Sequence, residues 1–193
     1  MTRAGLLRCA LLLIVMAPMT GHAQDNENQY VSPPHAIPHG AAPGMQVQLL
    51  NREGKPKEYA VIFAKGDEAL SGLTEFANRY HVTSAHFTAI GAVNRAEIAW
   101  FDPRRKMYKK IPIEGPHEVV SLIGDIALYN GKPIVHTHMV VADEDGTTLG
   151  GHVLSMEVFP TLEVMITVDP IAMQKRFDPD TDLTLITPAL PHH

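Results

Sequence analysis

One hairpin signal constrains the fold of this chain more than any other feature. The stretch IVHTHMVVADEDGTTLGGHV, Ile134 to Val153, has the pattern of two strands around a turn. A three-residue hairpin loop favours a type I turn followed by a glycine in the left-handed region, and Glu144-Asp145-Gly146 fits that pattern. Directly opposed residues then have numbers that sum to 290, so the turn predicts that His138 pairs with His152.

The predicted register brings three histidines to one face of the sheet. His136 and His138 share a face because they lie two residues apart on a strand. Three imidazoles around an open position are typical of a zinc site, and they also suit iron, nickel or copper. Two local alternatives would remove His152 from the face: a two-residue Asp145-Gly146 loop or a bulge at Gly150-Gly151. A third alternative is that the histidines bond only to backbone or solvent.

Other ionisable residues are further candidates for the site. Glu163 interrupts the otherwise apolar strand TLEVMITV, and a buried carboxylate there would need a cation or hydrogen bonds. It is therefore the predicted catalytic residue, as a general base or as a fourth ligand, and the alternative is an edge-strand glutamate that faces water. His86 is expected to be a hydrogen-bonded core residue, and Lys65 a surface residue.

The rest of the chain has the pattern of one helix and many strands. In KGDEALSGLTEFANRYH the apolar residues recur at helical spacing, and Asp67 is the predicted N-cap. After the helix, short apolar runs alternate with turn signals such as NGKP and DEDG. The pattern predicts an α+β domain over residues 58–170, a mainly antiparallel sheet with one principal helix. Residues 24–57 are a Pro/Gly-rich lead-in, and residues 171–193 are a C-terminal tail that packs irregularly.

The first 23 residues have the features of a secretory signal peptide. Arg3 and Arg8 precede the apolar run from Cys9 to Ala17, and the small-x-small triplet Gly21-His22-Ala23 follows. A membrane anchor is the alternative, but the run is shorter than the roughly 20 apolar residues that span a bilayer. Cleavage predicts a periplasmic or secreted protein that has no membrane attachment. It also leaves no cysteine, because Cys9 is the only one, so any transition metal must be held by histidines and carboxylates.

The charge of the chain argues against a nucleic-acid partner. The sequence has 16 basic and 21 acidic residues, a formal net charge of −5, and removal of the signal makes it more acidic. Nucleic-acid-binding domains usually carry a basic patch or stripe. The one basic cluster, PRRKMYKK at Pro103 to Lys110, is expected to form a solvated turn between strands.

Several motifs, in this order, resemble the plants-and-prokaryotes conserved (PPC) domain family. They are KGDEAL, AIGAVNRAEIAWFD, GDIAL, the HTH and GGH pair, and TLEV, and together they cover roughly Tyr59 to Val168. The resemblance implies a compact α+β subunit that usually assembles as a trimer. Plant members carry an AT-hook for DNA binding, whose core Arg-Gly-Arg-Pro sequence is absent here, so nucleic acid is not an expected partner of this bacterial, exported type of member.

The histidine pattern also has a more distant likeness to acetolactate decarboxylase and its structural relatives. Those proteins hold zinc with three histidines on a similar sheet. Carried over residue by residue, the likeness implies that His136, His138 and His152 are the metal ligands. The rest of that enzyme's site does not map onto this chain.

Two function hypotheses follow from the sequence. The first is an exported protein with a three-histidine metal site, with zinc as the leading metal, and with lyase or hydrolase chemistry on a small-molecule substrate. The alternative is a non-catalytic trimeric interaction module whose histidines lie at subunit contacts, or a DNA-binding protein as the family label suggests. Whether the protein is an enzyme stays open at this stage.

Overall fold

The fold is an α+β domain dominated by antiparallel strands, as the sequence predicts. We analysed a computed structural model, which describes residues 29–33, 39–51, 53 and 56–188. The predicted signal peptide, residues 1–23, lies outside the described residues. In chain order the elements are β1 Tyr30–Val31, β2 Gln46–Leu49, β3 Lys57–Ala64, α1 Ala69–Arg79, β4 Ser84–Asp102, β5 Met107–Tyr129, β6 Lys132–Ala142, β7 Thr148–Val168, β8 Gln174–Asp178 and β9 Leu183–Thr187.

Four long strands pair in a closed ring. β4 pairs with β5 and β7, and β6 pairs with both β5 and β7, all antiparallel. On the far side of β7, β3 and then β2 extend the sheet. Antiparallel neighbours that follow one another in the chain need only short turns, which agrees with the turn signals in the sequence. The ring brings the β6–β7 hairpin close to the middle of β5.

The helix covers one side of this sheet with its apolar face. Leu70, Leu73, Phe76 and Ala77 are buried there, as their helical spacing predicts. The predicted N-cap is wrong by one residue, because the cap is Glu68, whose carboxylate accepts from the N–H groups of the first turn. The Asp67 carboxylate accepts instead from the backbone N–H groups of Gly44 and Ala64, at 2.8 and 3.0 Å, and these bonds hold the preceding loop.

Segments on both sides of the predicted domain join the sheet. β1 pairs with β5, β2 pairs with β3, and the β8–β9 hairpin lies beside β5 through the parallel pair Leu128 and Gln174. A small second core forms where these ends meet, with Tyr108 and Leu154 buried and Leu183 packed against them. The segment expected to be an irregular tail therefore forms a hairpin that is part of the structure around the histidines.

The described part of the chain offers no membrane-spanning element of helical type. Its helix has 11 residues, and no helix among the described residues has the length and apolar character needed to cross a bilayer.

Candidate metal centre

The β6–β7 hairpin has the register that a three-residue loop predicts. His138 is the Cα partner of His152, and Ala142 is the partner of Thr148, so opposed residues sum to 290. Gly146 has a φ of 77°, the left-handed conformation that the loop requires. The Asp143 N–H donates to the Thr147 carbonyl at 3.0 Å and closes the hairpin. The alternative register, which would turn His152 away, is excluded.

The three imidazole rings form a nearly equilateral triangle. Ring centroids are 5.1 Å apart for His136 and His138, 5.2 Å for His136 and His152, and 5.4 Å for His138 and His152. One nitrogen from each ring lies within 4.8 Å of the others. The Nε2 atoms of His136 and His138 are 3.2 Å apart. Two nitrogens bound to one tetrahedral zinc ion are about 3.3 Å apart, so this pair already has the separation of zinc ligands.

Asp125 orients the first histidine of the triangle. Its Oδ2 lies 3.1 Å from Nδ1 of His136, which leaves Nε2 of that ring directed at His138. A carboxylate on the outer nitrogen is the usual support of a metal-binding histidine. We missed Asp125 in the sequence, although a signal was present: the two-residue Asn130-Gly131 turn makes opposed residues sum to 261, which pairs Asp125 with His136.

His152 is the most enclosed ring of the three. Tyr108 stacks on it with centroids 4.5 Å apart and an interplanar angle of 6°. Its Nδ1 atom is buried and has no hydrogen-bond partner among the described residues. A buried polar atom without a partner is unfavourable, and coordination of a metal through Nδ1 would remove the penalty. The observation therefore fits a metal ligand better than a histidine bonded to backbone.

Burial and mutual repulsion keep the site in a form that can bind a metal. Burial is the largest cause that lowers the pKa of His152 to about 3, followed by the charges of His136, His138 and Lys175. Burial and His136 also lower the pKa of His138, against a smaller opposing effect of Asp125. The two rings are therefore neutral at pH 7, and a neutral imidazole is the form that coordinates metals.

A buried lysine completes the polar surroundings, and the sequence analysis did not identify it. Lys175 on β8 is 5% exposed, and its Nζ forms an ion pair with Asp125 Oδ1 at 2.8 Å. Burial alone would raise the Asp125 pKa, but the hydrogen bonds and charges of His136 and Lys175 outweigh it and hold that pKa below its usual value. Asp125 is thus an anion shared between a histidine and a lysine.

Three of the residues considered in the sequence lie away from this triangle. Glu163 is exposed on β7 between Ile62 and Ile90 of the neighbouring strands, and it lines a different, shallow cavity. The geometry gives no support for Glu163 as a ligand or base, and its catalytic role stays a prediction. His86 is exposed, 3.6 Å from Asp169, so its expected core position is wrong. Lys65 is a surface residue, as expected, with Nζ 4.8 Å from the centre of the Phe159 ring.

Comparisons with known families and proteins show what this chain is similar to. The model of the Plants and Prokaryotes Conserved (PCC) domain matches residues 51–169. That range contains all three histidines and Asp125, but it ends before Lys175. A search of curated proteins gives no match.

Solved structures of similar proteins share the fold over most of the chain. The metal-containing protein of Archaeoglobus fulgidus is 30% identical, with a TM-score of 0.64 over 75% of this chain and 98% of that one. The plant- and prokaryote-conserved (PPC) protein of Pyrococcus horikoshii is 27% identical, with a TM-score of 0.65 over 75% and 96%. A Ralstonia eutropha JMP134 protein, named as a candidate DNA-binding protein, is 28% identical, with a TM-score of 0.65 over 71% and 94%. With the family model matching well over half of its length, the chain belongs to the Plants and Prokaryotes Conserved domain family.

Proposed function

We propose that this protein is an exported metal protein in which His136, His138 and His152 hold a zinc ion. The observation that carries the proposal is the convergence of the three rings, with Nε2 of His136 and Nε2 of His138 3.2 Å apart. A second observation supports the proposal: the Asp125 carboxylate contacts Nδ1 of His136, the nitrogen that faces away from the other rings. The similarity to a metal-containing protein of Archaeoglobus fulgidus points the same way.

The chemistry we propose is lyase or hydrolase chemistry on a small molecule. Zinc in such a site supplies a Lewis acid that polarises a carbonyl group or lowers the pKa of a bound water. The protein's own residues hold the ligand set: Asp125 fixes the orientation of His136, and Tyr108 restricts the tilt of the His152 ring by stacking on it. His138 is the exposed member of the triangle, so solvent and small molecules reach the site from its side.

Metal analysis of protein purified without a histidine tag tests the proposal. We expect one zinc ion per chain, and we expect His138→Ala to reduce the zinc content at least tenfold. His86→Ala is the matched control, because His86 is an exposed histidine on a neighbouring strand, outside the triangle. A protein without stoichiometric metal, or a His138→Ala variant that keeps it, contradicts the proposal.

Export is proposed from the N-terminal sequence pattern alone. The charged start, the short apolar run and the Gly21-His22-Ala23 triplet support cleavage before Gln24. N-terminal sequencing of the protein recovered from the periplasm or medium of a bacterial host tests this, and an uncleaved Met1 or a purely cytoplasmic product contradicts it.

A trimeric interaction module is the second candidate, and one surface favours it. Ile90, Val120, Ile123 and Met165 are each 49–62% exposed and line one shallow cavity together with Glu163. Monomers rarely expose a contiguous apolar patch of this kind, so a second and third copy of this chain are the proposed occupants. Sedimentation velocity should show a trimer that Ile123→Asp dissociates, whereas Ile171→Asp, at an exposed residue outside the patch, leaves it intact. A wild-type monomer contradicts this candidate.

DNA binding is the weakest candidate. It is favoured by the name of the Ralstonia eutropha relative. The basic turn between β4 and β5 gives it little support, because Arg105, Lys106 and Lys110 each pair with a carboxylate. A gel-retardation assay at several salt concentrations tests it, and binding that falls steeply with salt would favour DNA over a small molecule.

A further inference from the structure

The C-terminal hairpin encloses the histidines in a way that the family model does not include. β8 and β9 lie beyond residue 169, where the family match ends. Lys175 of β8 and Leu183, Thr184 and Leu185 of β9 line a cavity of about 750 Å³ that also contains the three histidines and Asp125. The hairpin is therefore a wall of the cavity and not a separate tail.

Several contacts fix this wall in place. The Leu128 N–H of β5 donates to the Met173 carbonyl at 2.8 Å, just before β8. Lys106 Nζ, in the turn between β4 and β5, donates to the Pro179 carbonyl at 2.8 Å at the other end of the hairpin. The ion pair between Lys175 and Asp125 ties the same hairpin to the support of His136.

A second cavity of about 570 Å³ adjoins the first, and its lining is mainly apolar. Leu70 and Thr74 of α1, Pro133 of β6 and Phe177 of β8 contribute to it. His152, Ile134, Val135 and Thr184 line both cavities, so the apolar space begins at the histidines. A volume of this size suits a small molecule with an extended apolar part.

We infer that the two cavities form one binding site for a monocarboxylic acid with an apolar chain, whose carboxylate lies at the histidine triangle near Lys175. This inference rests on the proposed zinc centre. Imidazole ligands bring no negative charge to a bound zinc ion, and the nearby Asp125 carboxylate already pairs with Lys175 at 2.8 Å, so an anion is the favoured partner of the zinc ion. The apolar chain is accommodated between α1 and β8, where burial of each methylene adds to affinity.

Calorimetric titration of the zinc-loaded protein with acetate and octanoate tests the inference. We expect octanoate to bind at least tenfold more tightly than acetate, and octylamine, which has the same chain and the opposite charge, not to bind. Thr74→Phe fills the apolar cavity from the helix and should reduce the preference for octanoate to less than threefold, with acetate binding unchanged. Glu75→Phe is the matched control, because Glu75 is exposed on the same helix and does not line the cavity, and it should keep the full preference.

Two further variants keep the inference testable if Thr74→Phe does not fold. Phe177→Ala removes part of the opposite wall and should weaken octanoate binding by about five- to tenfold without a change in zinc content. Lys175→Met should weaken acetate and octanoate by a similar factor. If the wild-type protein takes up no zinc, the proposed function fails. If it takes up zinc but binds octanoate no more tightly than acetate, the metal centre stands and the inference about the cavity is overturned.

Discussion

Gly151, the residue directly before His152, should be far less tolerant of a side chain than its neighbour Gly150. A Cβ at Gly151 would lie 2.6 Å from the Ala99 carbonyl oxygen of β4, about 0.8 Å inside the 3.4 Å at which ordinary contact begins. The obstacle is backbone, so β4 and β7 must separate there. Overpacking of this kind typically destabilises a protein by about 1–3 kcal/mol, and we expect that loss for Gly151→Ala.

The same displacement should weaken metal binding, because Ala99 is the Cα partner of His152. A shift of β7 moves His152 relative to the other two rings, and we expect zinc affinity to fall about tenfold, which corresponds to about 1.4 kcal/mol. Gly150→Ala is the matched control. A Cβ there meets Val140 Cγ2 at 3.1 Å and the Met139 carbonyl at 3.2 Å, which needs movements of only a few tenths of an ångström. Its effect on stability should stay within about 1 kcal/mol.

Two measurements separate these effects. Urea unfolding in the presence of a chelator gives the stability of the metal-free protein, and competition with a chromophoric chelator gives its zinc affinity. If both alanine variants are equally stable and bind zinc equally well, the close approach of β4 to Gly151 is not what the GGH motif provides, and the reasoning is refuted.

Three further predictions concern the histidines and their support. Asp125→Asn should lower the zinc affinity about tenfold, because the carboxylate supports the His136 ring. Competition with a chelator measures this affinity, and an unchanged value would show that the contact is incidental. The free energy of unfolding of the metal-free protein, measured by urea titration, should fall by about 1–3 kcal/mol between pH 7 and pH 4.5. The reason is that the His152 pKa is about 3 in the folded protein and about 6.5 in the unfolded chain, so acid protonates the unfolded state first. His152→Phe should flatten that dependence, and a variant with the wild-type slope would exclude His152 as its source. Zinc at a free concentration 100 times its Kd should raise the free energy of unfolding by about 2.7 kcal/mol relative to chelator-treated protein. Equal stability of the zinc-loaded and the chelator-treated protein would exclude a site that depends on the fold.

The parts of the site that the sequence predicts correctly are set by short-range turn chemistry. The loop Glu144-Asp145-Gly146 determines the register of its hairpin, because glycine adopts the left-handed conformation at its last position. From that one loop the convergence of His138 and His152 follows. The same rule, applied to Asn130-Gly131, would have placed Asp125 opposite His136. The position of Asp125 is thus also determined by local turn chemistry.

Glu163 and Lys175 show what such local rules do not reach. A charged residue in an apolar strand indicates a buried ion pair only if both faces of the strand are covered. Whether they are covered depends on which distant segments of the chain pack against them. Glu163 lies on a face that no other described element of the chain covers, so it is exposed. Lys175 is only 5% exposed, because β8 lies beside β5. The two strands meet at one parallel pair, Leu128 and Gln174, which are 46 residues apart in the chain, so no turn motif specifies the contact. Since that pairing depends on long-range packing at Tyr108 and Leu183, the wall of the cavity, and with it the chemistry of the ligand, can be inferred only from the three-dimensional structure.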